Sequence, residues 1–303
     1  SSSGSSGKDA SKSSGGLEIL FEQDDGLINN YTLIAVSPKA PFADADGKAV
    51  SDVKLNSTGA QAFIDWMLSD EGIELAKNYG VDTYGQALFS IKDDAPHYTG
   101  DIPKATDETK TVRLSTTTSV NDSGLLDALL PTFEDKYGYK VEVYSAGTGK
   151  AIANAKNGNA DAILVHSKSQ EEAFVKDGFA YTLPGFDSER LTYMYNYFVL
   201  CGPADDPAGV KEAGSAKDAF AKIAESKSKF VSRGDKSGTH TKEVSLWPED
   251  LGITTEADSV AKYTDWYIYS NAGMGDCLTM AKEQGAYILS DKATYLSFTA
   301  NQK

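Results

Sequence analysis

Cysteine and histidine are scarce in this sequence, with two cysteines and three histidines among 303 residues. Two thiols cannot build the disulfide framework of a small secreted scaffold. The three histidines, His97, His166 and His240, are scattered and lack the spacing of a metal site. Whether Cys201 and Cys277 pair or remain buried thiols stays open. We therefore expect neither a zinc site nor cysteine chemistry.

Positive charge is also scarce, because 29 Lys and Arg residues face 44 Asp and Glu residues and the formal net charge is −15. A surface of this sign repels phosphate backbones, so we do not expect a general nucleic-acid binder. No apolar run approaches the roughly 18 residues that cross a bilayer. The first residues carry no basic and apolar leader, so we expect a signal peptide to be absent or already removed.

Two segments lack the composition of a folded domain. Residues 1–16 are Ser and Gly with a few charged residues, which cannot bury enough surface to offset chain entropy, so we expect a flexible tether. An artificial linker and the spacer behind the lipid-bearing cysteine of a bacterial lipoprotein both fit this composition. Residues 91–111 are polar and irregular with two prolines, which indicates a linker or a former chain end.

The rest of the sequence alternates short apolar runs with stretches of helical apolar spacing. This order predicts an α/β fold with mainly parallel sheets, and the length predicts about two domains. Residues 58–79 have helical spacing and are expected to form one helix that stops at Gly80. We assign residues 31–200 to one lobe, and residues 17–30 with residues 201–303 to the other.

Ligands of open α/β sheets collect at the carboxyl ends of the strands, so the turns behind the predicted strands are where a site is expected. The first such turn carries five consecutive hydroxyl residues, Ser115 to Ser119, at the predicted start of a helix. A single cap from Ser119 or Asn121 would satisfy that helix. Five hydroxyls therefore favour a site for an anion at the positive end of the helix dipole.

Two further turns are rich in glycine. Residues 145–150 (SAGTGK) combine Ser145 and Thr148 with two glycines but lack the spacing of a phosphate-binding P-loop. Ordinary turn chemistry and a binding site both remain open there. Residues 269–275 (YSNAGMG) would supply backbone N–H groups to an anion.

The remaining turn, residues 232–239 (SRGDKSGT), contains a cation. Arg233 offers a permanent, forked charge that suits a tetrahedral oxyanion, and Ser237 and Thr239 precede a predicted helix. The alternative is a surface arginine paired with Asp235, an exposed pair that contributes little.

These four turns supply hydrogen-bond donors and one cation but almost no acceptor. No arrangement of serine, histidine and acid is indicated, because His240 is the one histidine near a serine-rich turn. A general base and metal ligands are missing as well, which argues against phosphoryl transfer or hydrolysis in the same cleft. We therefore expect a binding protein and not an enzyme, with no catalytic residues, no cofactor and no resident metal.

Several segments resemble the tungstate-binding component of bacterial tungstate ABC transporters: LSTTTSVNDSGLL, YSAGTGKAI, FVSRGDKSGTHTKE, and LINNYTLIAVSP with the helix FIDWMLSDEGIELAKNYG. The TTTS and SRGDKSGT turns together are fairly specific to that family, and the resemblance covers nearly all of residues 17–303. It implies a type II two-lobe periplasmic binding protein fold that closes on WO₄²⁻, or also on molybdate, and presents it to a membrane permease. It also implies a monomer in the periplasm or outside the cell, either free or lipid-anchored.

Carried over motif by motif, the resemblance implies that hydroxyl groups from three turns and one arginine bind the anion. The Ser270–Gly273 turn departs from the family pattern, so the resemblance assigns it no role. The implied ligand-binding residues are Thr117, Thr118, Ser119, Ser145, Thr148, Arg233, Thr239 and, as the weaker candidate, Ser237.

Phosphate, or another tetrahedral oxyanion, remains the alternative ligand. An arginine with a Ser-Gly-Thr turn is also similar to phosphate receptors. HPO₄²⁻ keeps a proton and needs a carboxylate to accept it, whereas WO₄²⁻ carries none. Among the motif turns, Asp235 is the carboxylate near enough to Arg233 in sequence to play that part.

The order of the segments differs from that of the family. There the TTTS strand opens the mature chain and the LEIL strand, the NNY crossing and the FIDWMLSDEGIELA helix close it, whereas here the closing segments come first. This order predicts a circular permutation, with new ends between Lys303 and Leu17 and the old ends joined near residues 91–111. The residues do not distinguish natural from engineered permutation, and of the two we favour an engineered one.

Overall fold

The structure, a computed structural model, describes residues 16–301, so the tether expected over residues 1–16 lies outside the described residues except for Gly16. The described chain divides into two compact units. Unit 2 consists of Asn29–Asn196, and unit 1 contains the described residues up to Ile28 and from Tyr197 onward. The chain passes between the units along one strand after Ile28 and along another after Asn196.

The strands in chain order are β1 (Leu17–Phe21), β2 (Ile28–Ala35), β3 (Ser90–Ile91), β4 (Thr111–Thr117), β5 (Lys140–Ala146), β6 (Ala162–Val165), β7 (Leu191–Pro203), β8 (Phe230–Ser232), β9 (Tyr267–Tyr269) and β10 (Tyr287–Asp291). The helices are α1 (Ser57–Met67), α2 (Asp70–Asn78), α3 (Val81–Tyr84), α4 (Thr118–Asp122), α5 (Leu125–Tyr137), α6 (Thr148–Lys156), α7 (Lys168–Lys176), α8 (Ala216–Ser226), α9 (Gly238–Val244), α10 (Met274–Gln284) and α11 (Lys292–Ala300).

The sheet of unit 2 has the strand order β5–β4–β6–β2–β7, and β3 pairs with the first part of β7. β4 runs parallel to β5 and to β6, while β2 is antiparallel to β6. All four residues of β6 (AILV) are buried, which is typical of a central strand with helices on both faces. Ile34 and Ile163 pack with Phe174 of α7 in one buried cluster of this unit.

The sheet of unit 1 has the order β1–β7–β10–β8–β9, in which β10, β8 and β9 are mutually parallel. Neighbouring residues of β8 face opposite sides, so Phe230 and Val231 belong to different buried clusters. On the Phe230 side, the ring of Trp247 lies 4.9 Å from Phe230 and 4.7 Å from Phe220, centroid to centroid. Both faces of this sheet are therefore packed.

The first described strand and the last helix lie together in unit 1. The hydroxyl of Tyr295 in α11 donates a hydrogen bond of 2.9 Å to the carbonyl oxygen of Leu17 in β1. The ammonium of Lys292 lies 3.1 Å from a carboxylate oxygen of Glu22. The two ends of the described chain are thus neighbours in space.

The single helix expected over residues 58–79 is wrong, because the structure has two helices, α1 and α2, in this region. Ser69 separates them and caps α2 by accepting a hydrogen bond from the N–H of Gly72. A Cβ at Gly72 would lie 2.2 Å from the carbonyl oxygen of Trp66, so the close turn between the helices requires glycine.

Cys201 and Cys277 are free and buried thiols. Burial raises the pKa of both, so neither is a reactive thiolate. In the described chain the longest helix, α5, has 13 residues, and no helix combines the length and apolarity needed to span a bilayer.

Candidate anion-binding site

Parallel strands of unit 2 end side by side, and polar residues follow these ends. β4 ends at Thr117 and β5 at Ala146, and the register pairs these two residues. The predicted residues Thr118 and Ser119 follow β4, and Thr148 follows β5. The turns lie at one edge because the carboxyl ends of parallel strands meet there.

Two of the five consecutive hydroxyls serve the fold. Ser115 is buried and donates a hydrogen bond of 2.6 Å to the carbonyl oxygen of Ala151 in α6. Thr116 is also buried and donates 2.6 Å to the carbonyl oxygen of Leu164 in β6. The candidate donors in this turn are therefore Thr117, Thr118 and Ser119.

Thr117 is the residue that caps α4, in place of Ser119 or Asn121. Its hydroxyl oxygen accepts a hydrogen bond of 3.2 Å from the N–H of Val120. Thr118, the first residue of α4, has an exposed side chain. Capping of α4 thus falls on Thr117, and the exposed Thr118 has no part in it.

His166 contacts two of the candidate residues, and reasoning from the sequence did not include it in the site. Its Nε2 atom lies 2.9 Å from Oγ1 of Thr117 and 3.2 Å from Oγ of Ser119, and its Nδ1 atom lies 3.1 Å from Oδ1 of Asn29. Its place was detectable, because it directly follows the apolar run of β6 at a strand carboxyl end.

The hydrogen bonds around His166 determine which ring nitrogen carries the hydrogen. Asn29 Oδ1 accepts, so Nδ1 of His166 carries the hydrogen and Nε2 is left as an acceptor. Asn29 is held in turn, because its Nδ2 donates to the hydroxyl of Tyr31 at 2.9 Å and to Oδ1 of Asn196 at 3.3 Å. Burial lowers the pKa of His166 to about 4, so the ring is neutral at neutral pH.

The glycine-rich turn of unit 2 leaves a helix start open. Ser145 accepts a hydrogen bond of 3.4 Å from Nδ2 of Asn121, and Thr148 is the buried first residue of α6. No side chain caps α6 within the described chain. A Cβ at Gly147 or Gly149 would meet no described atom within 4 Å apart from its chain neighbours and the helix's own backbone. No described side chain therefore caps the first N–H groups of α6, and the space beside its two glycines is open.

In unit 1, Arg233 follows β8 and is not a solvated surface residue. Its Nη2 atom lies 2.8 Å from Oδ2 of Asp235, and the two side chains are 17% and 21% exposed. Its Nε donates a long hydrogen bond of 3.5 Å to the carbonyl oxygen of Ala272. Oδ1 of Asp235 accepts from the N–H of Ser237 at 3.1 Å, so both carboxylate oxygens are engaged.

Ser237 and Thr239 take different positions at the start of α9. Ser237 caps this helix, since its Oγ accepts a hydrogen bond of 3.2 Å from the N–H of His240. Thr239 lies buried in the first turn. His240 accepts from the N–H of Lys236 through Nδ1, and its buried Nε2 finds no hydrogen-bond partner among residues 16–301.

The fourth turn mirrors the glycine-rich turn of unit 2. The hydroxyl of Ser270 donates to the carbonyl oxygen of Ser232 and so joins the ends of β9 and β8. α10 begins after Gly273, and no described side chain caps it. A Cβ at Gly273 or Gly275 would meet nothing within 4 Å in the described part of the chain. The open part of this turn is thus its backbone.

Glu243 lies behind the arginine turn. Ser232 donates to Glu243 Oε1 at 2.6 Å, and the N–H of Gly234 donates back to the serine Oγ at 3.1 Å. The other carboxylate oxygen accepts from Nε1 of Trp247 and from the hydroxyl of Tyr267, each at 2.6 Å. Burial raises the pKa of Glu243 to about 7. This carboxyl fixes the backbone that presents Arg233.

Asp291 is a second acid that interacts electrostatically with Arg233, and the sequence did not indicate it. It ends β10, parallel to β8, and its Oδ2 caps α11 by accepting from the N–H of Thr294 at 2.9 Å. Burial raises the pKa of Asp291, while the hydrogen bonds from Thr294 and then the charge of Arg233 oppose that rise. Arg233 therefore interacts with the charge of Asp291 in addition to its ion pair with Asp235.

The chain belongs to the PBP superfamily: the profile of the family described as a PBP superfamily domain matches residues 104–303. It is similar to the tungstate-binding protein TupA of Peptoclostridium acidaminophilum, with 46% identity over 204 residues, 67% of this chain and 66% of that protein. It is 39% identical over 186 residues to the tungstate-binding protein TupA of Campylobacter jejuni, covering 61% of this chain and 63% of that protein.

Among solved structures, the tungstate-binding protein TupA of Desulfovibrio alaskensis is similar to this chain. The TM-score is 0.51 at 37% identity, over 63% of this chain and 71% of that one. The matches to curated relatives span between 52% and 66% of those relatives' own length. The resemblance to tungstate-binding proteins and the α/β fold class of periplasmic binding proteins are therefore confirmed.

Proposed function

We propose that this protein is an extracytoplasmic receptor that binds tungstate, and also molybdate, and delivers it to the permease of an ABC transporter. The observation that carries this proposal is the pair of open Gly-x-Gly helix starts, Gly147–Gly149 and Gly273–Gly275, one in each unit. Each unit also offers hydroxyl donors at the carboxyl ends of parallel strands. The names of the relatives, tungstate-binding proteins, support the choice of anion.

In this proposal each unit contributes its own donors to the anion. Unit 2 supplies the hydroxyls behind β4 and β5, and unit 1 supplies the charge of Arg233 and the start of α9. The backbone of the two glycine-rich turns adds N–H donors at the positive ends of helices. The proposed ligands are Thr117, Thr118, Ser119, Ser145, Thr148, Arg233, Ser237 and Thr239.

The donor-rich turns and the names of the relatives favour a fully deprotonated anion over phosphate. HPO₄²⁻ needs an acceptor for its proton, and the candidate for that part is Asp235. Its Oδ2 pairs with Arg233 and its Oδ1 accepts the N–H of Ser237, which leaves one lone pair on each oxygen. Tungstate and molybdate need donors only, which the turns supply.

We further propose that the chain is a circular permutant of this family. The family match begins at residue 104, close to the predicted junction, although the elements before it are integral to both sheets. The hydrogen bond between Tyr295 and Leu17 places the described ends side by side, as a permutation requires.

Within the same proposal the protein acts as a monomeric, non-catalytic carrier that works outside the cytoplasmic membrane, free or lipid-anchored. The relatives' names as binding proteins support the non-enzymatic role. The donor chemistry of the turns agrees with it, because binding and release of an oxyanion need no base or nucleophile.

Calorimetric titration of the full chain with tungstate, molybdate, sulfate and phosphate tests the proposed function. We expect saturable binding of tungstate and molybdate, with phosphate and sulfate weaker by at least about 100-fold. Tight phosphate binding without tungstate binding would overturn the assignment. Turnover of a phosphate ester by the purified chain would contradict the non-catalytic role.

A further inference from the structure

The hydroxyl of Thr117 is fully engaged before any anion arrives. Its oxygen accepts the N–H of Val120 at 3.2 Å, and it lies 2.9 Å from the acceptor Nε2 of His166 and 3.2 Å from Oγ of Ser119. Ser119 competes for the same nitrogen at 3.2 Å. A neutral imidazole has one lone pair at Nε2, so it holds one hydroxyl hydrogen and leaves at most one of the two for a ligand.

Binding an anion through both hydroxyls leaves this nitrogen without a donor. If Thr117 and Ser119 both turn their hydrogens to an anion, Nε2 of the half-buried His166 ring loses its partner, which is unfavourable. A proton on Nε2 removes the conflict, because the nitrogen then donates to Oγ1 of Thr117. Nδ1 keeps its hydrogen on Asn29, and the ring gains the positive charge that a dianion favours.

We propose that His166 takes up one proton from solvent when a tetrahedral dianion binds at the Thr117–Ser119 turn, and that this proton converts both hydroxyls into donors to the anion. His166 is thus a positioning residue whose charge state sets how many donors the turn presents. This inference rests on the proposed function, since it requires a dianion at that turn.

The surroundings of His166 allow this change. The described groups of unit 2 that face the ring are Asn29 and Tyr31 from β2, Thr117 from β4 and Ser119 from α4. Tyr31, whose ring centroid lies 4.9 Å away, is the titratable group among these four, and none of the four is charged at neutral pH. A dianion would therefore act on a ring that lacks a competing carboxylate among these neighbours.

The pKa of His166 should differ between the free and the tungstate-bound protein. Burial lowers the pKa of the free His166 ring to about 4, and a nearby opposite charge raises a histidine pKa by roughly one to three units per charge. In the bound state the ring should therefore be protonated at about pH 6, where the free ring is neutral. Tungstate affinity should fall with rising pH, by at most about tenfold per pH unit.

Calorimetry in two buffers of different ionisation enthalpy, at about pH 6 and free of phosphate and sulfate, measures this proton directly. The parent should take up about one proton per tungstate, and His166→Gln about none. His97→Gln is the matched control, because His97 is an exposed histidine paired with Asp70 at 2.6 Å, and it should behave as the parent. Binding without proton uptake in the parent, or equal uptake in His166→Gln, would overturn the inference.

A second measurement does not depend on a variant that folds. Nitrogen-15 spectra of the parent's histidine side chains should show the Nδ1–H tautomer of His166 in the free protein. In the tungstate complex they should show the doubly protonated ring. A ring that stays neutral in the saturated complex contradicts the inference while leaving tungstate binding intact. A parent that binds no tungstate overturns the proposed function and this inference with it.

Discussion

Arg233 and Asp235 form an ion pair of 2.8 Å within one turn, and the same carboxylate also receives the N–H of Ser237. The cation of the candidate site is therefore partly neutralised by its own neighbour. The buried Asp291 also interacts with its charge. The ion pair with Asp235 holds Arg233 in place and weakens the field that an incoming anion meets.

Asp235→Asn should tighten tungstate binding, by roughly threefold to tenfold, because it removes a negative charge beside the arginine. Phosphate provides the discriminating comparison. If Asp235 accepts the proton of HPO₄²⁻, the same change weakens phosphate binding instead. Titration of the variant with both anions is the measurement, and a tungstate affinity that falls would contradict this view of the pair.

Thr118→Val should weaken tungstate binding by about 5- to 150-fold and leave the melting temperature unchanged, because an exposed donor is lost. Thr117→Val should also lower the stability of the protein by about 1 kcal/mol, since Thr117 caps α4. Titration and thermal unfolding of the two variants separate the roles. Equal melting temperatures of the two variants would contradict the capping role of Thr117. An unchanged tungstate affinity in Thr118→Val would contradict the binding role of Thr118.

Glu243 should make stability depend on pH. Its pKa is raised to about 7 in the folded protein from 4.5, so the folded state keeps a proton that the unfolded state loses. Stability should therefore fall as pH rises from 4.5 to about 7, by at most about 3 kcal/mol. Glu243→Gln should remove this part of the fall.

Asp65, whose pKa burial raises to about 7, acts in the same direction and remains in the Glu243→Gln variant. Denaturant titrations at several pH values therefore isolate Glu243 as the difference between parent and variant. Identical pH profiles would contradict the assignment.

Anion binding should draw the two units together, because an anion that uses donors of both gains contacts in the closed state. Small-angle scattering should then show a smaller radius of gyration with tungstate than without it. Arg233→Gln is the control, since it should reduce the change at the same tungstate concentration. Equal radii for the free and saturated parent would count against closure.

Local patterns in the sequence predict most of the fold and part of the candidate site. Apolar runs such as β6 indicated strands, and the turns behind them could be found because ligands gather at strand ends. The break between α1 and α2 was missed, because apolar spacing continues through Ser69 and only the cap reveals the boundary. The five hydroxyls also look alike in sequence, whereas the sheet directs Ser115 and Thr116 into its own hydrogen bonds.

The remaining site residues depend on pairs that are distant in sequence. His166 and Asn29 are 137 positions apart, and Ser232 meets Glu243 only after the chain has formed α9. Asp291 interacts electrostatically with Arg233 because β10 lies beside β8. No local motif encodes such neighbours, since they follow from the strand order.

The central claim is that Arg233 binds a tungstate dianion, and matched charge removal tests it most directly. Titration with tungstate should show Arg233→Gln weakened by at least about 30-fold, or 2 kcal/mol, because a desolvated dianion loses its cation. Lys236→Gln removes a charge from the same turn that is exposed and paired with Glu256 at 2.9 Å, and it should change affinity by less than about threefold. The double variant Arg233→Gln/Asp235→Asn should show the same loss of tungstate affinity. That result would assign the loss to the missing arginine charge and not to repulsion by an unpaired Asp235 carboxylate. An Arg233→Gln variant that binds tungstate as tightly as the parent would contradict the account.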